Sequence, residues 1–169
     1  MQEQPEPLFF PVSPLKLVVM STVTFGFYEA FWFYKNWQLV KLRTQRPMQP
    51  FWRAVFPVLF CYSLFKEIHH TASQKSITAT YNPLLLAVAW IALRISVRLP
   101  DPYWLVVCLS PLVLLLVQQT VNRLNTSVAP AHNPNSHFSA WNIVGVVVGG
   151  ILFILAIIGT FIPEVPTDG

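Results

Sequence analysis

The stretch WNIVGVVVGGILFILAIIGTFI, from Trp141 to Ile162, contains 22 residues and no charged side chain. As an α-helix it would be about 33 Å long, enough to cross a hydrocarbon core of about 30 Å. A soluble domain of 169 residues has little use for a helix that is apolar on every face. The stretch therefore predicts a transmembrane helix and places the chain among membrane proteins.

The composition favours the same class. Hydrophobic residues make up 54% of the chain and charged residues 11%, whereas soluble proteins contain about 25% charged residues. The net charge of +4 in so apolar a chain predicts contact with anionic lipid headgroups, and we expect no nucleic-acid partner. The first 14 residues carry two acids and no base, so we expect them to be retained rather than cleaved as a signal peptide.

Five apolar segments predict an all-α, polytopic membrane protein whose residues 1–169 form a single integral membrane domain. Three of the segments begin with a capping residue followed by proline, at Ser13-Pro14, Asn82-Pro83 and Asp101-Pro102. Such a pair favours a helix start because the side chain caps free amides and proline has no N–H to leave unpaired. The predicted segments are 15–34, 51–65, 83–99, 102–121 and 141–162.

Two topologies are open, because segment 51–65 is short. It would be about 22 Å long as a helix, and Pro57 predicts a kink, so it is either a short span or a re-entrant element. The stretch 35–53 holds five basic residues and no acid, which predicts a cytoplasmic position and places the N-terminus outside. Four spans would leave both termini outside. Five spans would bring Glu29 and Arg94 to similar depth, which favours the five-span arrangement.

Glu29 is the strongest candidate for chemistry, because a carboxylate inside a membrane is costly unless it is paired or functional. It could relay a proton or bind a cation. Alternatively it forms a structural ion pair with Arg53 or Arg94, or is protonated and hydrogen-bonded to a neighbouring helix. The spans contain no second acid, which favours the structural alternatives.

Four histidines suggest a weaker hypothesis, a metal site. Imidazoles together with the carboxylate of Glu67 would suit zinc. However, two of the histidines are adjacent and would point about 100° apart on a helix, and the spacing matches no established metal motif. We therefore expect solvated histidines and no cofactor. The four residues are His69, His70, His132 and His137.

Small residues recur along the last segment with a spacing that lets helix backbones approach closely in lipid. They could serve packing within the chain, homo-oligomer formation or docking to a larger membrane complex. Asparagines between residues 118 and 142 predict either an ordered loop over the helix ends or a loop that binds a partner. The small residues are Gly145, Gly149, Ala156 and Gly159.

The run Phe25-Gly26-Phe27-Tyr28-Glu29-Ala30-Phe31-Trp32-Phe33-Tyr34-Lys35-Asn36-Trp37 resembles a helix end found in uncharacterised small polytopic inner-membrane proteins of bacteria. Residues 50–54 and 122–125 are similar to the same group. The resemblance implies a location in the bacterial cytoplasmic membrane. It implies no activity and no site residues.

The sequence contains no nucleophile elbow, metalloprotease signature, phosphate-binding glycine loop or paired acids, so we do not expect an enzyme. We predict an interaction, assembly or accessory subunit of a membrane complex, in contact with the bilayer and with anionic headgroups at residues 35–53. Its partner in this complex would be another membrane protein or a second copy of the same chain. The alternative prediction is a small transporter or ion-coupled channel that uses Glu29.

Overall fold

The computed structural model describes residues 6–162, and within that range every regular element is helical. The predicted all-α class is therefore confirmed. Two short 3₁₀ helices cover Ser96–Arg98 and Tyr103–Leu109. The α-helices are α1 Pro14–Val23, α2 Phe27–Thr44, α3 Pro50–Val55, α4 Pro57–Gln74, α5 Pro83–Ile95, α6 Ser110–Val128 and α7 Ala140–Thr160.

The predicted caps of α1 and α5 are confirmed. The hydroxyl of Ser13 accepts from the backbone N–H of Lys16 (3.3 Å), and the side-chain oxygen of Asn82 accepts from those of Leu84 and Leu85 (2.9 and 3.1 Å). Each cap satisfies an amide that has no partner inside the helix.

At Asp101-Pro102 a helix begins as predicted, at Tyr103, but the predicted side-chain cap does not form and the first turns are not α-helical. The chain first forms the 3₁₀ helix Tyr103–Leu109, without a side-chain cap, and the α-helix starts only at Ser110. Pro111 explains the difference, because inside a longer α-helix its ring would clash with the preceding turn and its missing N–H would break a hydrogen bond. At the beginning of α6 the same proline is well tolerated.

The predicted single helix over residues 15–34 is also wrong, because the chain breaks between α1 and α2. Phe25 and Gly26 adopt left-handed conformations, with φ of 52° and 88°. The N–H of Gly26 returns to the carbonyl of Ser21 (2.8 Å), which is a typical way to end a helix. Glycine suits this place for a second reason: a Cβ here would meet the guanidinium of Arg94.

Segment 51–65 kinks at Pro57, as predicted, and so divides into α3 and α4. However, α4 continues nine residues beyond Phe65, to Gln74. The added turns contain exposed polar side chains, but they also extend a buried stripe with helical spacing, which explains why the helix does not stop where the apolar run stops. The stripe consists of Leu64, Phe65, Ile68, Thr71 and Ala72.

The core lies where α2, α4, α5 and α6 meet, around Trp32, Phe33 and Trp90. Ahead of α1, the non-helical N-terminal residues 8–13 pass into this core and bury Phe9 and Val12 completely. The apolar helix α7 is different, since it contains no buried residue. By length and composition, two helical stretches could cross a membrane, Tyr103–Val128 and Ala140–Thr160.

Candidate functional site

Glu29 lies in the first turn of α2 and is almost completely buried. The hydroxyl of Ser110 donates to its Oε1 (2.7 Å), and the indole N–H of Trp90 donates to its Oε2 (3.0 Å). The two donors belong to α6 and α5, so a single carboxylate connects three helices. Both are neutral donors that suit a carboxylate acceptor.

Arg94 approaches the same place from the end of α5. Its guanidinium donates to the carbonyl of Phe25 (3.3 Å) and packs against Gly26, next to the break between α1 and α2. Arg94 follows Trp90 by one turn on the same face of α5, and Trp90 binds Glu29, so the guanidinium lies on the Glu29 side of this helix. Direct contact is absent, however, because the one ion pair within 4.0 Å among residues 6–162 joins Arg43 to Glu67.

Arg53, the other cation predicted near Glu29, lies elsewhere. Its guanidinium stacks over the ring of Trp37, 4.4 Å from the centroid, and lies 5.1 Å from the ring of Phe60. The electron-rich face of an aromatic ring attracts a cation, so this stacking stabilises the charge of Arg53 without a nearby carboxylate. Hydrogen bonds from Ser110 and Trp90 thus occupy the positions at Glu29 where the sequence suggested an arginine.

A cavity of about 750 Å³ opens beside Glu29 and Arg94, between α2, α3 and the end of α5. This volume is within the usual range of ligand pockets. Aromatic and aliphatic side chains form most of its walls, and the two charged groups lie at one end. The walls include Phe27, Phe31, Tyr34, Phe51, Ala54, Val55 and Trp90.

A second cavity, of about 650 Å³, lies further along α2, and Tyr34 and Phe51 contribute to the walls of both. Its lining is more polar and includes Lys35, Gln38 and Lys41. Among the described residues that line it, none is acidic. Part of its wall is supplied by the N-terminal segment through Pro7, Phe10 and Pro11.

The four histidines do not come together as a metal site. The ring of His69 packs edge-on against Tyr81, whereas Nδ1 of His132 lies 2.6 Å from the carbonyl of Ala129. His70 and His137 are exposed. Within residues 6–162, no group of three or more His, Cys, Asp or Glu side chains could hold a metal ion.

The small residues of α7 have unequal surroundings. A Cβ on Gly149 would collide with the backbone carbonyl of Val23 in α1, and one on Gly145 would come within 3.6 Å of the Met20 methyl group. Gly159 has open space at the corresponding position. Ala156 is half-buried, and its carbonyl accepts from the hydroxyl of Thr160 (2.9 Å). The first half of the stripe thus lies on α1, while the second half, at Gly159, has no described residue against it.

The N-terminal segment is held by side-chain amides. The side chain of Asn125 makes two hydrogen bonds to the backbone of Phe9. Its oxygen accepts from the Phe9 N–H (3.2 Å), and its NH₂ group donates to the Phe9 carbonyl (2.8 Å). Asn36 accepts from the N–H of Phe10 (3.1 Å), and Asn122 donates to the carbonyl of Val12 (3.2 Å). Such bonds satisfy an extended backbone that has no strand partner. Several asparagines between residues 118 and 142 therefore bind this chain's own backbone.

The donors to Glu29 and the two cavities were not predicted from the sequence. Trp90 is 61 positions from Glu29 and Ser110 is 81 positions away, and no local pattern links residues so far apart. A signal for the cavities was present in α2, where Phe27, Phe31 and Tyr34 recur with helical spacing. Comparisons of the chain with protein-family models, curated proteins and solved structures found no match.

Proposed function

We propose that the chain is an integral membrane protein without enzymatic activity, which serves as an interaction, assembly or accessory subunit of a membrane complex. The observation that carries the proposal is α7, an apolar helix of 21 residues, none of which is buried by the other residues of the described range 6–162. Ten of its large apolar side chains are exposed: Trp141, Ile143, Val144, Val147, Val148, Ile151, Leu152, Ile154, Leu155 and Ile158.

The exposed apolar face of α7 would cost too much free energy in water for this helix to be surrounded by solvent. Full burial of a large apolar side chain is worth about 1.5–3 kcal/mol, so several such side chains together reach the 5–15 kcal/mol that stabilises a typical domain. Lipid or a partner helix must therefore cover α7. Exposed apolar residues on α3, α4 and α5, such as Phe51, Leu59 and Leu85, support the same environment.

The orientation follows from charge. The basic residues from Lys35 to Arg53 favour the cytoplasmic side, where anionic headgroups would contact them, and the N-terminus is then outside. The resemblance to bacterial inner-membrane proteins supports the cytoplasmic membrane as the location. We propose a multi-pass arrangement in this membrane.

Contacts with a partner would use the part of α7 that faces away from α1. A Cβ added to Gly150 or Gly159 would have no other atom within 4 Å, so another helix could approach there closely. A membrane-protein partner or a second copy of the chain would fit this surface equally.

The proposal is tested by purification in mild detergent at native expression level, followed by mass spectrometry of what copurifies. A stoichiometric membrane protein or a defined homo-oligomer would support an interaction role. A monodisperse monomer accompanied only by lipid would contradict it. Release of the chain from membranes by alkaline carbonate would contradict the integral location itself.

A small transporter or ion-coupled channel is a second candidate, favoured by the position of Glu29 on the wall of a large cavity. Its hydrogen bonds to Ser110 and Trp90 would hold the carboxylate ready for a passing cation. The test is ion flux into liposomes that contain the native chain or the Glu29→Gln variant. Equal flux for the two proteins would remove the basis of this candidate.

A further inference from the structure

One face of α2 runs along both cavities. Phe27, Phe31, Tyr34, Gln38 and Lys41 line them and follow one another at intervals of three or four residues, which places them on the same side of the helix. The short helix α3 faces this side, and its Phe51 contributes to both cavities. The two cavities thus lie next to each other along α2, with Tyr34 and Phe51 in the walls of both, and together they extend about 21 Å from Phe27 to Lys41 at 1.5 Å per residue. We call this pair of adjoining cavities the groove.

The chemistry of this groove changes along its length. Near Phe27 and Phe31 the walls are aromatic and aliphatic, with Val55 on the opposite side. Toward the other end Lys35 and Lys41 enter the lining, without an acid among the described residues there. A ligand that matches both ends has a long apolar part and an anionic head.

Polar groups are also available near the basic end. The Gln38 amide donates to the hydroxyl oxygen of Tyr34 (2.8 Å), which leaves the hydroxyl proton free to donate into the groove. Lys35 lies 5.6 Å above the ring of Phe31, so its ammonium group is held at the boundary between the two halves. Phosphate oxygens accept well from donors of these kinds.

At the apolar end the lining contains one base, Arg94, and one acid, Glu29, whereas Lys35 and Lys41 at the other end have no acid beside them among the described lining residues. The uncompensated positive charge of the groove therefore belongs to Lys35 and Lys41. This difference orients an anionic amphiphile, with its head at the lysines and its chain toward Phe27.

We propose that this groove binds one anionic phospholipid, whose phosphate lies at Lys35 and Lys41 and whose acyl chain occupies the aromatic half. The inference rests on the proposed membrane location and specifies a lipid site within it. One leaflet contributes about 15 Å of hydrocarbon, so a groove of about 21 Å accommodates a chain together with its headgroup. A free phosphate ion would use the basic end but would leave the apolar half empty.

The first test measures binding of phosphatidylglycerol to the delipidated full-length chain by native mass spectrometry, with phosphatidylcholine as the neutral comparison. The variant is Lys35→Gln combined with Lys41→Gln. Its control, Lys66→Gln with Lys75→Gln, removes the same charge from exposed positions outside the groove.

We expect the groove variant to bind phosphatidylglycerol about 25-fold more weakly, since each of the two lysines near a lipid surface contributes about fivefold. The control should bind as the native chain does. Equal binding by both double variants would overturn the proposal, because it would show diffuse attraction to a basic protein.

The second test blocks the apolar half without changing charge. Val55→Trp places a large ring in the groove, whereas Val58→Trp adds the same ring at a similarly exposed position outside it. Only Val55→Trp should weaken phosphatidylglycerol binding. Phosphatidylglycerol binding that is unchanged in Val55→Trp but is abolished by inorganic phosphate would indicate a phosphate site. That result would contradict the lipid proposal.

The two proposals fail differently. If carbonate releases the chain from membranes, the integral location fails, and the lipid site fails with it. If the chain stays in the membrane but phosphatidylglycerol binding is unchanged in both groove variants, the lipid site alone is wrong.

Discussion

The core around α2 and the helix α7 are held in opposite ways. Around α2, Glu29, Gln118 and Asn125 make buried hydrogen bonds across long sequence separations, and Trp32 and Phe33 are completely covered. Helix α7 packs on α1 at Gly149 and makes few other contacts, such as the bond from Trp104 to Thr160 (2.9 Å).

This difference shows which part of the chain can bury its apolar surface by its own contacts and which part cannot. The core covers its aromatic rings and pairs most of its buried polar groups from within, the indole N–H of Trp37 being an exception, so its stability comes from internal contacts. Helix α7 is more apolar than each of the core helices, and yet none of its residues is buried among residues 6–162, so its exposed face needs lipid or another protein to cover it. Substitutions in the two regions should therefore differ in their effect on stability.

The largest difference is expected between two tryptophans. Trp32→Ala removes a completely buried ring and its hydrogen bond to Gln118 (2.6 Å), which should lower the free energy of unfolding by about 3–5 kcal/mol. Trp141→Ala, at the exposed start of α7, should change it by less than about 0.5 kcal/mol. Unfolding in detergent followed by circular dichroism measures both, and similar losses would contradict the distinction.

The attachment of the N-terminal segment should give the next largest effect. Asn125→Ala leaves the buried N–H and carbonyl of Phe9 without partners, at a cost of about 3 kcal/mol. Asn133→Ala removes one exposed bond, to the N–H of Asn135, and should cost less than about 1 kcal/mol. Hydrogen exchange at Phe9 provides the readout: unchanged protection in Asn125→Ala would show that these amides do not hold the segment.

The junction between α1 and α7 is tested by two neighbouring glycines. Gly149→Ala forces a methyl group against the carbonyl of Val23 and should cost about 2 kcal/mol, because backbone cannot move aside cheaply. Gly150→Ala meets open space and should stabilise the helix by about 0.5–1 kcal/mol. If the same detergent unfolding assay gives both changes the same sign, α7 does not pack on α1 through Gly149.

The smallest effect concerns the two buried or half-buried acids. Glu29→Gln retains the volume but loses one acceptor for Trp90 or Ser110, so we expect a loss of about 1 kcal/mol. Glu67→Gln breaks a half-exposed ion pair with Arg43 and should cost less. A greater loss of stability in Glu67→Gln than in Glu29→Gln would contradict the structural role assigned to Glu29.

Much of the helical pattern could be predicted from local sequence, because local chemistry determines it. The caps at Ser13 and Asn82 and the kink at Pro57 depend on one or two residues and their own backbone. The break at Gly26 could not be predicted in the same way. Its glycine was visible, but the need for it comes from Arg94, which reaches it from a distant helix.

The surroundings of Glu29 show the same limit. The sequence alone identified the buried carboxylate and predicted either an arginine partner or an unnamed hydrogen-bond partner on a neighbouring helix, because only charged partners can be named from sequence. The structure supplies Trp90 and Ser110, whose neutral N–H and O–H donors look ordinary in an apolar run. The insertion of α7 into lipid stays a prediction. Within residues 6–162, α7 packs against α1 on one side, and the structure does not identify what covers its other side.

The most direct measurement of the central claim is thiol accessibility on α7 in native membranes. Val148→Cys, in a background with Cys61→Ala and Cys108→Ala, is treated with a maleimide that crosses bilayers but reacts only with the thiolate formed in water. Asn133→Cys, on an exposed loop, is the control. If lipid or a partner covers α7, Val148→Cys stays unlabelled until detergent and denaturant are added, whereas Asn133→Cys reacts at once. Equally rapid labelling of both would show that water covers α7, and would contradict the proposed integral membrane location.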